Sequence, residues 1–227
     1  MMLHVRNVLT AAQVRHCSDV LGKASWVDGA VTAGEQSSQA KHNLQVPEDA
    51  PEARALGEIV LYGLASSQQF MSAALPLRVY PPLFNRYGPG MGFGPHIDNA
   101  IRVSPVTGGR YRTDLSCTLF LTDPDQYDGG ELHIQNGLAG GGVKLPAGDM
   151  LLYPATTVHS VAPVTRGERW ASFFWVQSMA PDPTQRATLY ELDQAIIAAR
   201  AGLGDDHPAA VSLVGVYHNL IRMWSQV

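Results

Sequence analysis

The chain is poor in the features that mark disulfide scaffolds, nucleic-acid binders and membrane spans. Only two of its 227 residues are cysteine, Cys17 and Cys117. They lie far apart in dissimilar surroundings, so two buried free thiols are expected rather than a disulfide. Charged residues make up 16% of the sequence and the net charge is −4, with no block of Lys or Arg. Nucleic acid is therefore not an expected partner, because such binding rests on clustered basic side chains. No apolar run approaches the ~20 residues that a spanning helix needs, so no membrane partner is expected either. The first residues, Met1-Met2-Leu3-His4-Val5-Arg6-Asn7, lack the basic-then-apolar pattern of a secretory signal. A cytoplasmic protein is expected. Internal repeats, low-complexity tracts and linkers are also missing.

What remains is an ordinary globular composition, 45% hydrophobic over 24.5 kDa. This fits one sizeable core with helical additions. Thr10 and Gln13 have the spacing of a capping box, with Leu9 and Val14 at the staple positions. Val14, Cys17, Val20 and Leu21 then form the stripe of a first helix. Trp26-Val27-Asp28-Gly29-Ala30 suggests a strand and turn. A longer helix is expected over about 51–71, opening on Pro51 with Ala53, Leu56, Val60 and Leu64 on one face. Across 77–177 the texture becomes short apolar segments separated by Gly, Pro and Asp clusters, an all-β pattern. Residues 115–121 suit a central strand, and 169–177 the last major one. Gly140-Gly141-Gly142 reads as a hairpin tip between 131–134 and 143–145. Asp182-Pro183 caps a helix carrying Leu189, Leu192, Ile196 and Ile197. His207-Pro208 opens another carrying Val211, Val214, Ile221 and Trp224. That last stripe must bury against the chain's own core or a second copy, and a homodimer is the expectation. The predicted architecture is mainly β, a jelly roll (double-stranded β-helix) with flanking helices. It divides into N-terminal support over 1–76, a core over 77–178 and C-terminal helices over 179–227.

The chemistry centres on His96-Ile97-Asp98. Residues two apart on a strand or its end face the same side, so His96 and Asp98 can grip one ion. His159 follows 61 positions later (159 − 98) and Arg169 ten after that (169 − 159). Two imidazoles and one carboxylate are the donor set of a 2-His-1-carboxylate facial triad, which holds Fe(II) and leaves a face open. A guanidinium in the same pocket can hold a carboxylate through two parallel bonds. Alone, a short His-x-Asp pattern is weak, so its surroundings decide.

Those surroundings are Tyr87-Gly88-Pro89-Gly90-Met91-Gly92-Phe93-Gly94-Pro95, then Arg112-Thr113-Asp114-Leu115-Ser116-Cys117-Thr118-Leu119-Phe120-Leu121 and Gly129-Gly130-Glu131-Leu132. Gly148-Asp149-Met150-Leu151-Leu152-Tyr153-Pro154 and Gly167-Glu168-Arg169-Trp170-Ala171-Ser172-Phe173-Phe174-Trp175-Val176 complete them. Together they resemble the core of the Fe(II)/2-oxoglutarate-dependent dioxygenases, prolyl-4-hydroxylase-like branch. The resemblance is greatest to bacterial PKHD-type hydroxylases, including the iron-uptake-factor type. It covers about 77–200 well and the first 76 residues more loosely. It implies His96, Asp98 and His159 as Fe(II) ligands and catalytic centre, Arg169 as the 2-oxoglutarate anchor and Tyr87 as a further donor to that cosubstrate. It also implies O₂ as reactant, succinate and CO₂ as products, and ascorbate as the reductant that rescues oxidised iron. Asp98 favours hydroxylation, because halogenating relatives lack the carboxylate. The substrate stays open: a prolyl or other peptidyl residue, or a small molecule linked to iron uptake.

Two rival readings remain at this stage. One is a non-catalytic jelly-roll protein that binds iron and 2-oxoglutarate or senses them. The other is a zinc hydrolase using the same three ligands, which leaves Arg169 without a purpose. Other residues carry blander expectations. Glu131 and His133 read as a solvated face, and Met71, Met91 and Met223 as packing residues. His4, His16, His42, His207 and His218 have no recognisable partners. The segment 99–112, with Arg102, Arg110 and Tyr111, is a candidate lid.

Overall fold

Strand β16 (Arg169–Ser178) runs antiparallel between β10 (Leu115–Phe120) and β6 (Leu83–Tyr87), and the site is built around it. The structure, a computed structural model, describes residues 1–32, 40–135 and 141–227. Among these, the larger sheet has eight strands. β1 (Leu3–Val5) and β13 (Met150–Pro154) extend it beyond β10, while β4 (Leu44–Gln45) and β2 (Val27–Asp28) extend it beyond β6. Two strands lead toward the site: β5 (Pro76–Val79) pairs with the last part of β16 and β6 with the first. Pro81 and Pro82 separate them, because neither can donate a ladder hydrogen bond.

A smaller sheet faces this one, in the order β12 (Leu132–Ile134), β14 (His159–Val161), β7 (Gly92–His96), β3 (Lys41–His42). Two further antiparallel pairs complete the β structure of the described residues: β8 (Ile101–Val103) with β9 (Arg110–Arg112), and β11 (Asp128–Gly129) with β15 (Val164–Arg166). The predicted lid thus contains regular structure. Thr113 Oγ1 donates to the Asn99 carbonyl at 2.6 Å across its base.

Alternation along the strands sorts the sheet's two faces. Leu115, Cys117, Leu119, Met150, Leu152, Phe84, Phe174 and Val176 join the large core beneath the N-terminal helices. Those helices are α1 (Ala11–Leu21), α2 (Pro51–Ser66) and α3 (Gln68–Ala74). Burial of each such side chain contributes about 1.5–3 kcal/mol. The opposite face carries Tyr87, Phe120, Leu151 and Tyr153, which pack on Leu132, Val161 and Val164 of the neighbouring strands.

The capping box of α1 is formed as read: Thr10 Oγ1 accepts from Gln13 N, and the Gln13 amide oxygen accepts from Thr10 N at 2.9 Å. The single helix expected over 51–71 is instead two. Ser67 leaves helical geometry and its hydroxyl accepts from Phe70 N, starting α3. Cys17 and Cys117 are free and buried. Of the expected hairpin tip, Val143 bridges Leu132, while Gly140 lies outside the described residues.

At the C-terminus, Asp182 caps α4 (Pro183–Leu203), and α5 (Pro208–Trp224) packs back on it. The buried seam is Leu75, Ala180 and Leu189 with Tyr217, Leu220, Ile221 and Trp224. The stripes read from sequence are partly displaced: Ile197 and Val211 are exposed, as are Met71 and Met223. Tyr217 and Leu220 face the seam instead, a choice that periodicity alone leaves open. His4 and His207 have partners after all, His4 with Asp149 at 2.6 Å and His207 as the cap of α5.

Candidate active site

A cavity enclosing about 750 Å³, its mouth included, lies between the two sheets. His96, Asp98, His159, Arg169 and Tyr87 all line it. His96 ends β7 and His159 begins β14, and the two are cross-strand partners. Their rings lie 4.2 Å apart. Gly92 permits this approach, since a Cβ there would stand 3.0 Å from the Val161 carbonyl oxygen on β14. Asp98 sits two residues past the end of β7, and one ligand atom from each of the three lies within 4.8 Å of the others.

The donor set is arranged for a metal ion. His96 Nδ1 lies 2.8 Å from the Gly94 carbonyl and His159 Nδ1 3.0 Å from that of Thr157. A carbonyl only accepts, so each Nδ1 carries the proton and each Nε2 keeps a lone pair for an ion. Burial, and then His159 beside it, lower the His96 pKa to about 4, which keeps the ring neutral and ligand-competent at physiological pH. Ser116, facing inward on β10, donates to Asp98 Oδ2 at 2.5 Å and orients that carboxylate. Phe93 stacks on His96 at 3.5 Å, and Tyr153 stands edge-on to His159 at 5.2 Å.

Arg169 opens β16 opposite Tyr87 and is 1% exposed. Its guanidinium lies 5.1 Å from the Phe120 ring centre and 5.4 Å from that of Tyr87. Nε is buried without a hydrogen-bond partner, and no carboxylate of the described residues forms a salt bridge with it. A buried cation so placed is costly until an anion joins it. Gly130 (φ +68°) lets the 128–131 turn pass close by; a Cβ there would meet Arg169 Cδ at 3.1 Å. Burial pushes the Tyr87 phenol pKa up against the pull of Arg169, so Tyr87 is a neutral donor.

The profile of the 2OG-Fe(II) oxygenase superfamily matches residues 82–177, and that of the PKHD-type hydroxylase C-terminal domain matches 184–226. A PKHD-type hydroxylase of Gluconobacter oxydans (strain 621H) is 59% identical over 100% of both chains. Another, of Methylobacterium nodulans (strain LMG 21967 / CNCM I-2342 / ORS 2060), is 55% identical, again over 100% of both. The chain belongs to the PKHD-type hydroxylases. It is therefore a 2-oxoglutarate- and Fe(II)-dependent dioxygenase, which sets aside the zinc-hydrolase and sensor readings. Among solved structures, a Trichoplax adhaerens prolyl hydroxylase in complex with a hypoxia-inducible-factor peptide shares the fold. Its TM-score is 0.53 at 14% identity, with 82% of this chain and 86% of that one covered. HygX from Streptomyces hygroscopicus, with nickel, 2-oxoglutarate and hygromycin B bound, gives 0.52 at 15%, covering 78% and 82%. Both likenesses support the jelly-roll core of this PKHD-type hydroxylase.

Sequence reading missed several pocket residues. Ser116 was within reach, since alternation on β10 places 116, 118 and 120 on one face. Lys41 gave no signal, because β3 is two residues long. Arg102, named in the candidate lid, lines the cavity, 4.2 Å from the Trp175 ring centre and 5.2 Å from that of Tyr80. His133 is exposed, as expected of a solvated face.

Proposed function

We propose that His96, Asp98 and His159 hold the Fe(II) and that Arg169, with Tyr87 beside it, receives the distal carboxylate of 2-oxoglutarate. One observation carries this reading: three oriented ligand atoms and a buried guanidinium line the same cavity. Iron(II) with 2-oxoglutarate and O₂ supplies the oxidising power that hydroxylates a C–H bond, yielding succinate and CO₂. The chain's residues bind, orient and exclude. Nδ1–H bonds to Gly94 and Thr157 hold both imidazoles in the tautomer that offers Nε2. Ser116 donates to Asp98 Oδ2 and so limits the rotation of that carboxylate. Arg169 acts as a planar fork for a carboxylate, and the Phe120 and Tyr87 rings strengthen that bond by excluding water.

The reading extends to the regions around the core. Residues 1–76 serve as helical support, 77–178 as the oxygenase core and 179–227 as a C-terminal helical unit. Exposed Ile197, Leu203, Val211, Val216 and Met223 on α4 and α5 favour self-association into a homodimer. Two buried, unpaired thiols favour a reducing, cytoplasmic setting. The net charge of −4 speaks against nucleic acid as a partner. Ascorbate sustains activity by reducing iron oxidised in turnovers without substrate. The substrate is a peptidyl residue or a small molecule linked to iron uptake.

The test is anaerobic titration of the Fe(II) protein with 2-oxoglutarate, followed by turnover in labelled dioxygen. A metal-to-cosubstrate charge-transfer band and a product carrying one labelled oxygen are expected. Absence of the band at saturating 2-oxoglutarate would overturn the assignment.

A further inference from the structure

Lys41 and Arg102 stand at the end of the cavity that the cosubstrate reading leaves unassigned, together with Ile97, Asn99, Phe173 and Trp175. Lys41 is 8% exposed, although it lies on a two-residue strand. Its ammonium sits 5.5 Å from the Phe93 ring centre and 5.6 Å from that of Phe173. Arg102 rests on Trp175 and Tyr80. The two cations repel, and burial together with Arg102 lowers the Lys41 pKa to about 7. Among the described residues three acids, Asp98, Glu48 and Asp28, pull on Lys41 and offset part of that repulsion. Glu48 lies 3.8 Å from Arg102 and accepts from the Tyr80 hydroxyl at 2.9 Å, and Asp98 accepts from Ser116.

An anion entering between Lys41 and Arg102 relieves their repulsion, and it does so where the surrounding rings weaken screening by water. The rings themselves favour an apolar or aromatic body attached to that anion. Lys41 also comes from outside residues 82–177, the part matched by the oxygenase superfamily profile. It is thus a contribution of the N-terminal region to the pocket.

We propose that Lys41 and Arg102 form an anion subsite, and that the hydroxylated substrate bears a carboxylate which this subsite receives. Lys41 is the specificity-determining residue, holding the acid group while the rest of the substrate lies over the aromatic floor toward the metal site. The proposal rests on the assignment of Arg169 to the cosubstrate, so its test keeps the two ends of the cavity apart.

Phenylacetate and phenylacetamide form a matched acid–amide pair of probes. Each is dialysed to equilibrium against the anaerobic Fe(II) protein saturated with 2-oxoglutarate. Phenylacetate should be retained at least tenfold more tightly than the amide. Lys41→Met, which keeps the length of the stem, should erase that preference, and Lys41→Arg should restore most of it. In both variants the charge-transfer band should develop at 2-oxoglutarate concentrations within about twofold of wild type. Equal retention of acid and amide, including no retention of either, overturns the subsite, as does an acid preference that survives Lys41→Met. Loss of preference together with an equal loss of 2-oxoglutarate affinity also overturns it, since Lys41 would then serve the cosubstrate or the fold. A wild-type protein that forms no band at all counts against the cosubstrate assignment instead.

Discussion

At the residue scale, three side chains and their supports form the proposed metal site. Replacing His96, Asp98 or His159 by Ala leaves an under-coordinated ion, so each variant should lose turnover while keeping its circular dichroism. The large core beneath the N-terminal helices includes none of the three. Equal Fe(II) affinity in wild type and all three variants would sink the ligand assignment. Ser116→Ala is a gentler probe. It removes the 2.5 Å bond to Asp98 without touching a ligand, and supports of this kind are worth roughly 10–100-fold in metal affinity. A competitive chelator titration reads that loss, and an unchanged affinity would leave Ser116 with a packing role only. Arg169→Ala should weaken 2-oxoglutarate binding by at least about tenfold, since charge-assisted hydrogen bonds contribute about 1.5–3 kcal/mol each. Arg169→Lys should recover part of this, because lysine supplies the charge without the planar fork. Fe(II) binding should be nearly unchanged in both. A charge-transfer band that forms at wild-type cosubstrate concentrations in Arg169→Ala would place the anchor elsewhere.

Local sequence signals translated unevenly into elements. Where a cap residue and a stripe agreed, as at Thr10 with Val14, Cys17 and Leu21, the helix is where the sequence placed it. Ser67 shows the opposite case. The apolar spacing runs on through it, yet its hydroxyl satisfies Phe70 N and starts a new helix, a local competition that periodicity does not register. For α4 the cap and the packing can be separated by experiment. Asp182 accepts from Thr184 N and Gln185 N, both at 2.8 Å, so Asp182→Ala should cost about 1 kcal/mol. Leu189 is fully buried in the seam with α5, and Leu189→Ala should cost about 2–5 kcal/mol. Urea denaturation measures both. Equal costs would mean that the seam contributes little beyond the helix itself.

Across the whole molecule, the C-terminal helices keep apolar side chains in solvent, with Met223 at 73% and Val211 at 59% exposure. Such surface favours burial against a second copy. Multi-angle light scattering at micromolar concentrations should report twice the chain mass, 24.5 kDa for one copy. A monomer throughout that range would reject self-association.

The sequence by itself determined the β texture of the core and the capped helix starts, and it named the three candidate ligands. Alternation, caps and a ligand pair two residues apart are local patterns that survive without a partner. Only the tertiary structure decided that His96 and His159 are cross-strand neighbours, that Arg169 is buried between Tyr87 and Phe120, and that Lys41 enters the same cavity. It also decided which face of α5 is covered. Each of these depends on strand order and register between segments distant in the chain. Register is set by the packing of two sheets against each other, which no single segment encodes.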